Sequence, residues 1–279
     1  MPAYCRGRPL TIVTISVLLL LAGSAVVAYD FDVGRLSGLS GGVYLSSPTA
    51  AENLNCPAVL SPAGRFHLET GCQRRFELAD LDNAFIAAGS RFGAVSVYVG
   101  WWHLGRSEYY ADQIFKTTAA VRFQPFVFSL ISSVRKVEIG GRLGRLAMSA
   151  AAYGLALGFH HDRYHLGLVA DNLNNPRLDA GSTPDQAFCK LYGEIEGISS
   201  FSLVGHVAFE KRAGPVVSIG QYVILSEKAA FFWGMGENPR IYSGGLETGA
   251  VGLRLLYAVS YHPVLGFTHN ISLNWRMDK

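Results

Sequence analysis

The stretch from Gly252 to Met277 most constrains the fold of this chain, because apolar and polar residues alternate along it with a period of two. In its first part the apolar positions are Leu253, Leu255, Tyr257, Val259 and Tyr261. In its last part they are Ile271, Leu273, Trp275 and Met277, and the polar ones are Asn270, Ser272, Asn274 and Arg276. Side chains of a strand point alternately to two faces. The stretch therefore predicts two amphipathic strands, with a turn at Pro263 and Gly266.

The same alternation recurs from residue 65 onward, with short turns between the segments. It predicts strands at Arg65–Leu78, Asn83–Gly89, Ala94–Leu104, Glu108–Phe123, Phe126–Val137, Leu146–Phe159, Tyr164–Asp171, Gln186–Glu196, Ser199–Glu210, Pro215–Leu225, Ala229–Trp233, Glu247–Tyr261 and Asn270–Met277. Part of the fourth segment, residues 112–121, also fits a helix. Bacterial single-chain barrels have even strand numbers. We therefore expect fourteen strands, one short strand being unrecognised, with twelve as the alternative.

The charge content indicates which face of these strands meets which environment. The chain is 49% hydrophobic and only 16% charged, and its mean hydropathy is +0.22. Beyond residue 30 there is no apolar run near the roughly 18 residues of a membrane helix. A water-soluble sandwich, the alternative, would need more charge on its exposed face. We predict an all-β fold, a transmembrane antiparallel β-barrel whose apolar face meets lipid. The chain has no Lys/Arg cluster, so nucleic acid is not expected as a partner.

The N-terminus has the pattern of an export signal. Residues 1–28 contain Arg6 and Arg8, an apolar core from Leu10 to Leu21, and small residues before a cleavage site near Ala28. An uncleaved membrane anchor is the alternative. Residues 29–64 are rich in Gly, Ser, Ala, Asn and Pro and show no strand period, so we expect an N-terminal hatch or plug there. Residues 65–279 would form the barrel.

Three sequence motifs carry a resemblance to a known group of proteins. They are Asn55-Cys56-Pro57-Ala58 in the N-terminal region, the segment from Tyr164 to Leu173, and the ending from Tyr257 to Leu273 with its His262-Pro263-Val264-Leu265-Gly266. The pieces resemble the FadL-like superfamily of outer-membrane barrels, especially its PorV/PorQ-type and treponemal UPF0164 branch. The last motif is the most specific, and together the three cover the mature chain patchily from end to end.

The resemblance implies a barrel of 14 strands with an N-terminal hatch in the outer membrane of a diderm bacterium. It implies passive uptake of long-chain fatty acids or other hydrophobic small molecules, without catalysis or a cofactor. Outer-membrane lipid, that ligand and the barrel-insertion machinery would be the partners. The hatch motif assigns a gating role to Asn55, Pro57 and Ala58. PorV-type relatives imply the alternative, a non-transporting barrel that shuttles or anchors secreted proteins, or a structural outer-membrane protein.

Two departures from the family bear on these expectations. The chain is shorter than FadL proteins, so the extracellular loops that collect ligand must be trimmed. It also ends in Trp275-Arg276-Met277-Asp278-Lys279 and lacks the terminal aromatic residue of the usual insertion signal.

Charged and imidazole side chains on the polar faces are the candidates for lining the lumen. They are Arg163, His165, His206, Glu210, Arg254 and Arg276. They would either meet an anionic head group or pair with one another and fill a narrow barrel. The cluster from His160 to His165 also admits a metal site with His161 and His165 on one face, but we favour a hairpin at the membrane rim. No G-x-S-x-G and no distinct Ser, His and Asp set indicates an enzyme.

Three cysteines follow the signal: Cys56, Cys72 and Cys189. Cys56 and Cys72 could pair in an oxidising compartment, and the sequence leaves that open. No C-x-x-C spacing indicates a zinc site.

Overall fold

The computed structural model describes residues 33–58, 66–106, 110–141, 144–179, 184–185, 187–197, 200–210, 214–250 and 252–277. The expected signal, residues 1–28, lies outside these ranges. In the described ranges no helix is long and apolar enough to cross a membrane.

Fourteen antiparallel strands form one closed barrel, in which each strand pairs with its neighbour in sequence and β14 returns to β1. Two short helices precede them, α1 (Arg35–Gly38) and α2 (Ala50–Asn55). The strands are β1 (Phe66–Arg74), β2 (Asp82–Phe92), β3 (Val95–Arg106), β4 (Tyr110–Phe123), β5 (Phe126–Gly141), β6 (Gly144–His161), β7 (Tyr164–Asp171), β8 (Phe188–Glu196), β9 (Phe201–Glu210), β10 (Gly214–Ser226), β11 (Ala229–Glu237), β12 (Ile241–Ala250), β13 (Leu253–His262) and β14 (Gly266–Met277). The expected all-β barrel and its count of fourteen are confirmed.

The alternation predicted from the C-terminal stretch is present along β14. Ile271 and Leu273 are 49% and 41% exposed, whereas Asn270 and Ser272 are 0% and 1% exposed. The apolar side chains thus form the outer wall and the polar ones point into the barrel. This is the arrangement that lipid outside and a polar lumen inside require.

One prediction about an individual strand was wrong, and one ambiguous segment forms the strand that was predicted for it. Residues 247–261 form not one strand but the end of β12 and most of β13, with a turn at Gly252, whose φ of +80° favours glycine. The turn was not recognised because apolar and polar residues continue to alternate across it. The rest of β12 was not recognised because its Ser243-Gly244-Gly245 run shows no alternation. The segment 112–121, which also fitted a helix, lies within β4.

The two ends of the barrel differ in their connections. At the rim where β1 begins and β14 ends, which we call the terminal rim, the turns are short: residues 93–94, 124–125, 162–163, 197–200, 227–228 and 251–252. The opposite rim carries the two longest connections, residues 75–81 and 172–187. β5 and β6 also extend past β7 at this rim, because β6 pairs with β7 only from Leu155 to His161.

Candidate functional site

The interior of the barrel is occupied by residues 33–58, which we call the inner segment. Every residue in it is buried except three serines, Ser40, Ser46 and Ser47, which are partly exposed. Its helix α2 begins with a capping box: the Thr49 hydroxyl accepts from the Glu52 backbone N–H at 3.2 Å, and the Glu52 carboxylate accepts from the Thr49 N–H at 2.7 Å. The segment therefore has a defined local structure within the lumen.

Apolar side chains attach the inner segment to most of the wall. They form three buried clusters, which contain Leu54 with Trp102 and Phe85, Leu36 and Cys56 with Tyr192 and Ile131, and Leu39 with Phe232 and Leu256. The wall residues of these clusters all lie on strands from β2 to β13. Burying such side chains contributes on the order of 1.5–3 kcal/mol each, so the segment is firmly held along this arc.

A buried ionic group centred on Arg35 supports the same attachment. The Arg35 Nε donates to Glu52 Oε1 at 3.0 Å, and its Nη1 lies 3.4 Å from the Glu247 carboxylate on β12. The guanidinium carbon is 5.0 Å from the ring centroids of both Tyr44 and Tyr222. Burial alone would lower the pKa of Arg35, but the charges of Glu52 and Glu247 raise it well above its usual value. Arg35 is therefore charged at any physiological pH.

A cavity of about 390 Å³ opens beside this group at the terminal rim. Three arginines line it, Arg35, Arg254 and Arg276, together with Tyr44, Tyr222 and Glu247. Arg254 donates to Glu247 at 2.8 Å and has a half-exposed side chain. Arg276 donates from one terminal nitrogen to the Ser47 hydroxyl at 3.1 Å. Because arginine guanidinium groups bind carboxylates well, the cavity suits an anionic group.

The opposite rim presents apolar side chains to the inside of the barrel. Tyr110, Ile139 and Leu146 lie side by side in register on β4, β5 and β6 and are 37%, 43% and 56% exposed. Below them a small cavity of about 50 Å³ is lined by Asn55, Trp102, Ile114 and Phe188, and also by Lys116 and Arg135. These two basic side chains are paired, Lys116 with Asp171 at 3.0 Å and Arg135 with Asp112 at 2.7 Å.

The three residues of the expected hatch motif all lie inside the barrel. Asn55 ends α2 and lines the small cavity. The Pro57 carbonyl accepts from the Ser129 hydroxyl at 2.5 Å, and the Ala58 carbonyl lies 3.0 Å from His160 Nε2. The motif thus contacts β5 and β6. Its gating role stays a prediction.

The histidine cluster differs from the metal hypothesis. His160, not His161, is the register partner of His165, and their Nδ1 atoms lie 3.0 Å apart inside the barrel. His165 Nε2 is 3.2 Å from the Glu196 carboxylate. His161 faces outward with its side chain 62% exposed. No group of metal-ligand side chains of suitable geometry occurs among the described residues. The cluster instead links the Ala58 carbonyl to Glu196 through two imidazoles.

The other lumen candidates occupy different positions. Strand β6 ends at His161, and Arg163 lies exposed in the turn before β7. The prediction that Arg163 lines the lumen was therefore wrong. His206 is buried on β9, 2.5 Å from the Ser218 hydroxyl and in contact with Gly41 of the inner segment. Glu210 ends β9, and its side chain lies outside the described part of the chain. Arg254 and Arg276 share a cavity.

The positions of Cys56 and Cys72 exclude a disulfide between them. Cys56 is buried in the inner segment, whereas Cys72 is exposed on the outer face of β1, and both are free thiols. The barrel wall lies between them. Burial raises the pKa of the Cys56 thiol to about 12, so it is neutral and unreactive.

Sequence reasoning missed the acidic partners that organise the site. Glu52 is buried within the inner segment and binds Arg35, and the buried Glu69, Glu194 and Glu247 of the wall bind the segment. Thr49-x-x-Glu52 is a readable capping box. No comparable signal exists for Glu247, which lies 212 residues from its partner Arg35.

Fold and interior together define a class: a 14-stranded barrel of the outer-membrane type with an N-terminal segment inside. No protein-family model and no curated protein matches the sequence. The structure is similar to that of the Ralstonia pickettii toluene transporter TbuX, with a TM-score of 0.64 and 10% identity over 90% of this chain and 100% of that one.

Two further solved structures have the same fold. A Pseudomonas aeruginosa FadL homologue gives a TM-score of 0.59 and 8% identity, and a mutant of the monoaromatic hydrocarbon channel TodX gives 0.55 and 10%. Each comparison covers 88% of this chain and 98% of the other. At these identities the likeness establishes the fold alone.

Proposed function

We propose that this chain is a passive outer-membrane channel for hydrophobic small molecules that carry an acidic head group, such as long-chain fatty acids. One observation carries the proposal: apolar side chains face inward at one rim, while a cavity lined by three arginines lies at the other. An amphiphile could place its chain against the first and its carboxylate in the second. The inner segment lies between them.

The connection lengths support one orientation of the barrel in the membrane. Outer-membrane barrels have short periplasmic turns and longer extracellular loops. By that rule the opposite rim faces outward, and ligand would first meet Tyr110, Ile139 and Leu146. The arginine cavity would face the periplasm. A head group would then be bound at the end of the path, where Arg254 retains free donors toward the cavity. The structural likeness to TbuX, described as a toluene transporter, supports a hydrophobic substrate class.

Uptake of a labelled fatty acid by cells that lack their own channel tests the proposal. The intact chain should raise uptake above background, and Arg254→Gln should reduce it about tenfold or more, since a charge-assisted hydrogen bond contributes about 1.5–3 kcal/mol. Uptake of a neutral hydrophobic compound should remain unchanged in this variant. Arg74→Gln, which removes an exposed arginine paired with Asp82 on the outer face, is the matched control.

The alternative is a non-transporting barrel that anchors or shuttles secreted proteins. Two observations favour it. The hydrogen-bonded ladder runs between all fourteen strands, so the wall is continuous, and the buried ionic group holds the inner segment in place inside it. Uptake at background level for both probes, with the barrel folded in the outer membrane, would replace the channel proposal with this one.

A further inference from the structure

The side of the barrel formed by β14 and β1, which we call the seam, has a polar inner face along its whole length. On β14 the inward residues are Thr268, Asn270, Ser272, Asn274 and Arg276, and on β1 they are His67, Glu69, Gly71 and Gln73. None of the buried apolar clusters in the described ranges includes a residue of either strand. On this side of the barrel, the inner segment is therefore in contact with polar groups only.

Two buried carboxamides near the opposite rim lack protein partners. Asn270 and Asn83 are 0% and 1% exposed, and within the described ranges neither atom of either carboxamide has a hydrogen-bond partner. Gln73 lies between them in register, so the three side chains form a row across β2, β1 and β14. Burying a polar group without a hydrogen bond costs about 1–3 kcal/mol. Such groups are usually hydrogen-bonded to buried water, which makes Asn83 and Asn270 candidates for binding water.

The polar residues of β14 lie between two cavities. One, of about 260 Å³ at the opposite rim, is lined by Gln73 and Thr268 of the seam, by Ser37 and Ser40, and also by the apolar Phe76, Ile241 and Leu265. The other is the arginine cavity at the terminal rim, to which Asn274 and Arg276 belong. The inward side chains of β14 thus lead from one cavity to the other.

The inner segment contacts the middle of this polar face at Glu69. Glu69 accepts from the Ala51 backbone N–H at 2.9 Å and from the Ser272 hydroxyl at 3.3 Å. Gly34 approaches so closely that a Cβ there would lie 2.6 Å from Glu69 Oε1. These contacts are hydrogen bonds, and water can replace them at little net cost because a typical one contributes only about 0.5–1.5 kcal/mol.

We propose that the seam is a narrow hydrophilic path for water and small hydrated cations, separate from the route for hydrophobic ligands. Glu69 closes the path when it binds Ala51 and, once released, supplies the negative charge at its narrowest point. The Glu69 carboxylate would set the selectivity for cations at this narrowest point, and the three arginines line the wider cavity beyond it. This conduction would accompany ligand transport without depending on it.

Conductance of the purified full chain in planar lipid bilayers, under a potassium chloride gradient, tests the path. The wild type should give a small conductance with a cation-selective reversal potential. Glu69→Gln, which keeps the side-chain size, should move that potential toward the unselective value. Asn270→Leu, which keeps the volume and removes the polarity, should lower the conductance several-fold. Thr118→Val, a similar change inside β4, should leave both quantities as in the wild type.

Two results would overturn the path: a wild-type conductance no greater than that of the lipid alone, or a reversal potential that Glu69→Gln does not move. Heat-modifiable gel migration of each variant shows that it has folded. The fatty-acid assay separates this proposal from the channel proposal, because Asn270→Leu should leave uptake unchanged. Conductance without any uptake would remove the proposed function and keep the path.

Discussion

The two sides of the barrel interior hold the inner segment in different ways. From β2 to β13 the wall contributes apolar side chains such as Trp102 and Phe232, and the Arg35 group joins it through Glu247. At the seam, Glu69 accepts a hydrogen bond from the Ala51 N–H and Arg276 donates one to the Ser47 hydroxyl, and no buried apolar cluster of the described ranges includes a residue of β1 or β14. Apolar burial is lost whenever a gap opens, whereas hydrogen bonds can be exchanged for water. The segment is thus fixed on one side and releasable on the other.

The largest effect should come from removing Arg35. Arg35→Met leaves Glu52 and Glu247 buried with one partner fewer, which should lower the free energy of opening of the inner segment by about 3–5 kcal/mol. Native-state hydrogen exchange of the Asn53 and Cys56 amides, which donate within α2, measures it. Arg74→Met removes an exposed ion pair with Asp82 and should leave the exchange of the segment unchanged, because exposed ion pairs contribute little. Equal losses would contradict the buried attachment.

Leu54→Ala should have the next largest effect. Leu54 is 0% exposed and packs with Trp102, so the loss should be about 2–5 kcal/mol in the same exchange measurement. Leu273→Ala removes the same side chain from the lipid face, where Leu273 is 41% exposed, and should leave the exchange of the segment unchanged. If the lipid-face variant accelerates exchange equally, the segment is not fixed by this cluster.

Ser272→Ala should have the smallest effect and sharpens the contrast. It removes the hydrogen bond by which β14 orients the Glu69 carboxylate toward the Ala51 N–H, so the opening free energy of the inner segment should fall by no more than about 0.5–1.5 kcal/mol. Ser149→Ala on the exposed face of β6 serves as the control. A loss at Ser272 as large as that at Leu54 would mean that the seam holds the segment as strongly as the rest of the wall.

Much of the fold could be predicted because strand alternation is local. Ile271 and Asn270 point to opposite faces whatever surrounds them, and sparse charge indicates which face meets lipid. The β12–β13 turn was missed because apolar alternation continues across Gly252. Glycine-rich β12 also offers few side chains from which to read a period.

The interior was predicted less well, because its contacts join distant parts of the chain. Arg254 and Arg276 were recognisable as inward residues from alternation alone. Their common cavity with Arg35 depends on how the inner segment packs, and residue spacing carries no information on that. Arg163 was misplaced because the inward face of His165 was extended two residues back, past the start of β7 at Tyr164 and into the turn, where alternation no longer fixes the direction of a side chain.

Barrel closure has a consequence for assembly. The ladder from Phe66 to Arg74 against His269 to Met277 joins the first strand to the last, so it forms only after the chain is nearly complete. Contacts between such distant residues form slowly. Since the surfaces joined at this step are the polar ones, they can stay hydrated until the ladder forms. During this last and slowest step of folding, the inner surface that neighbouring chains can reach is polar and does not promote aggregation.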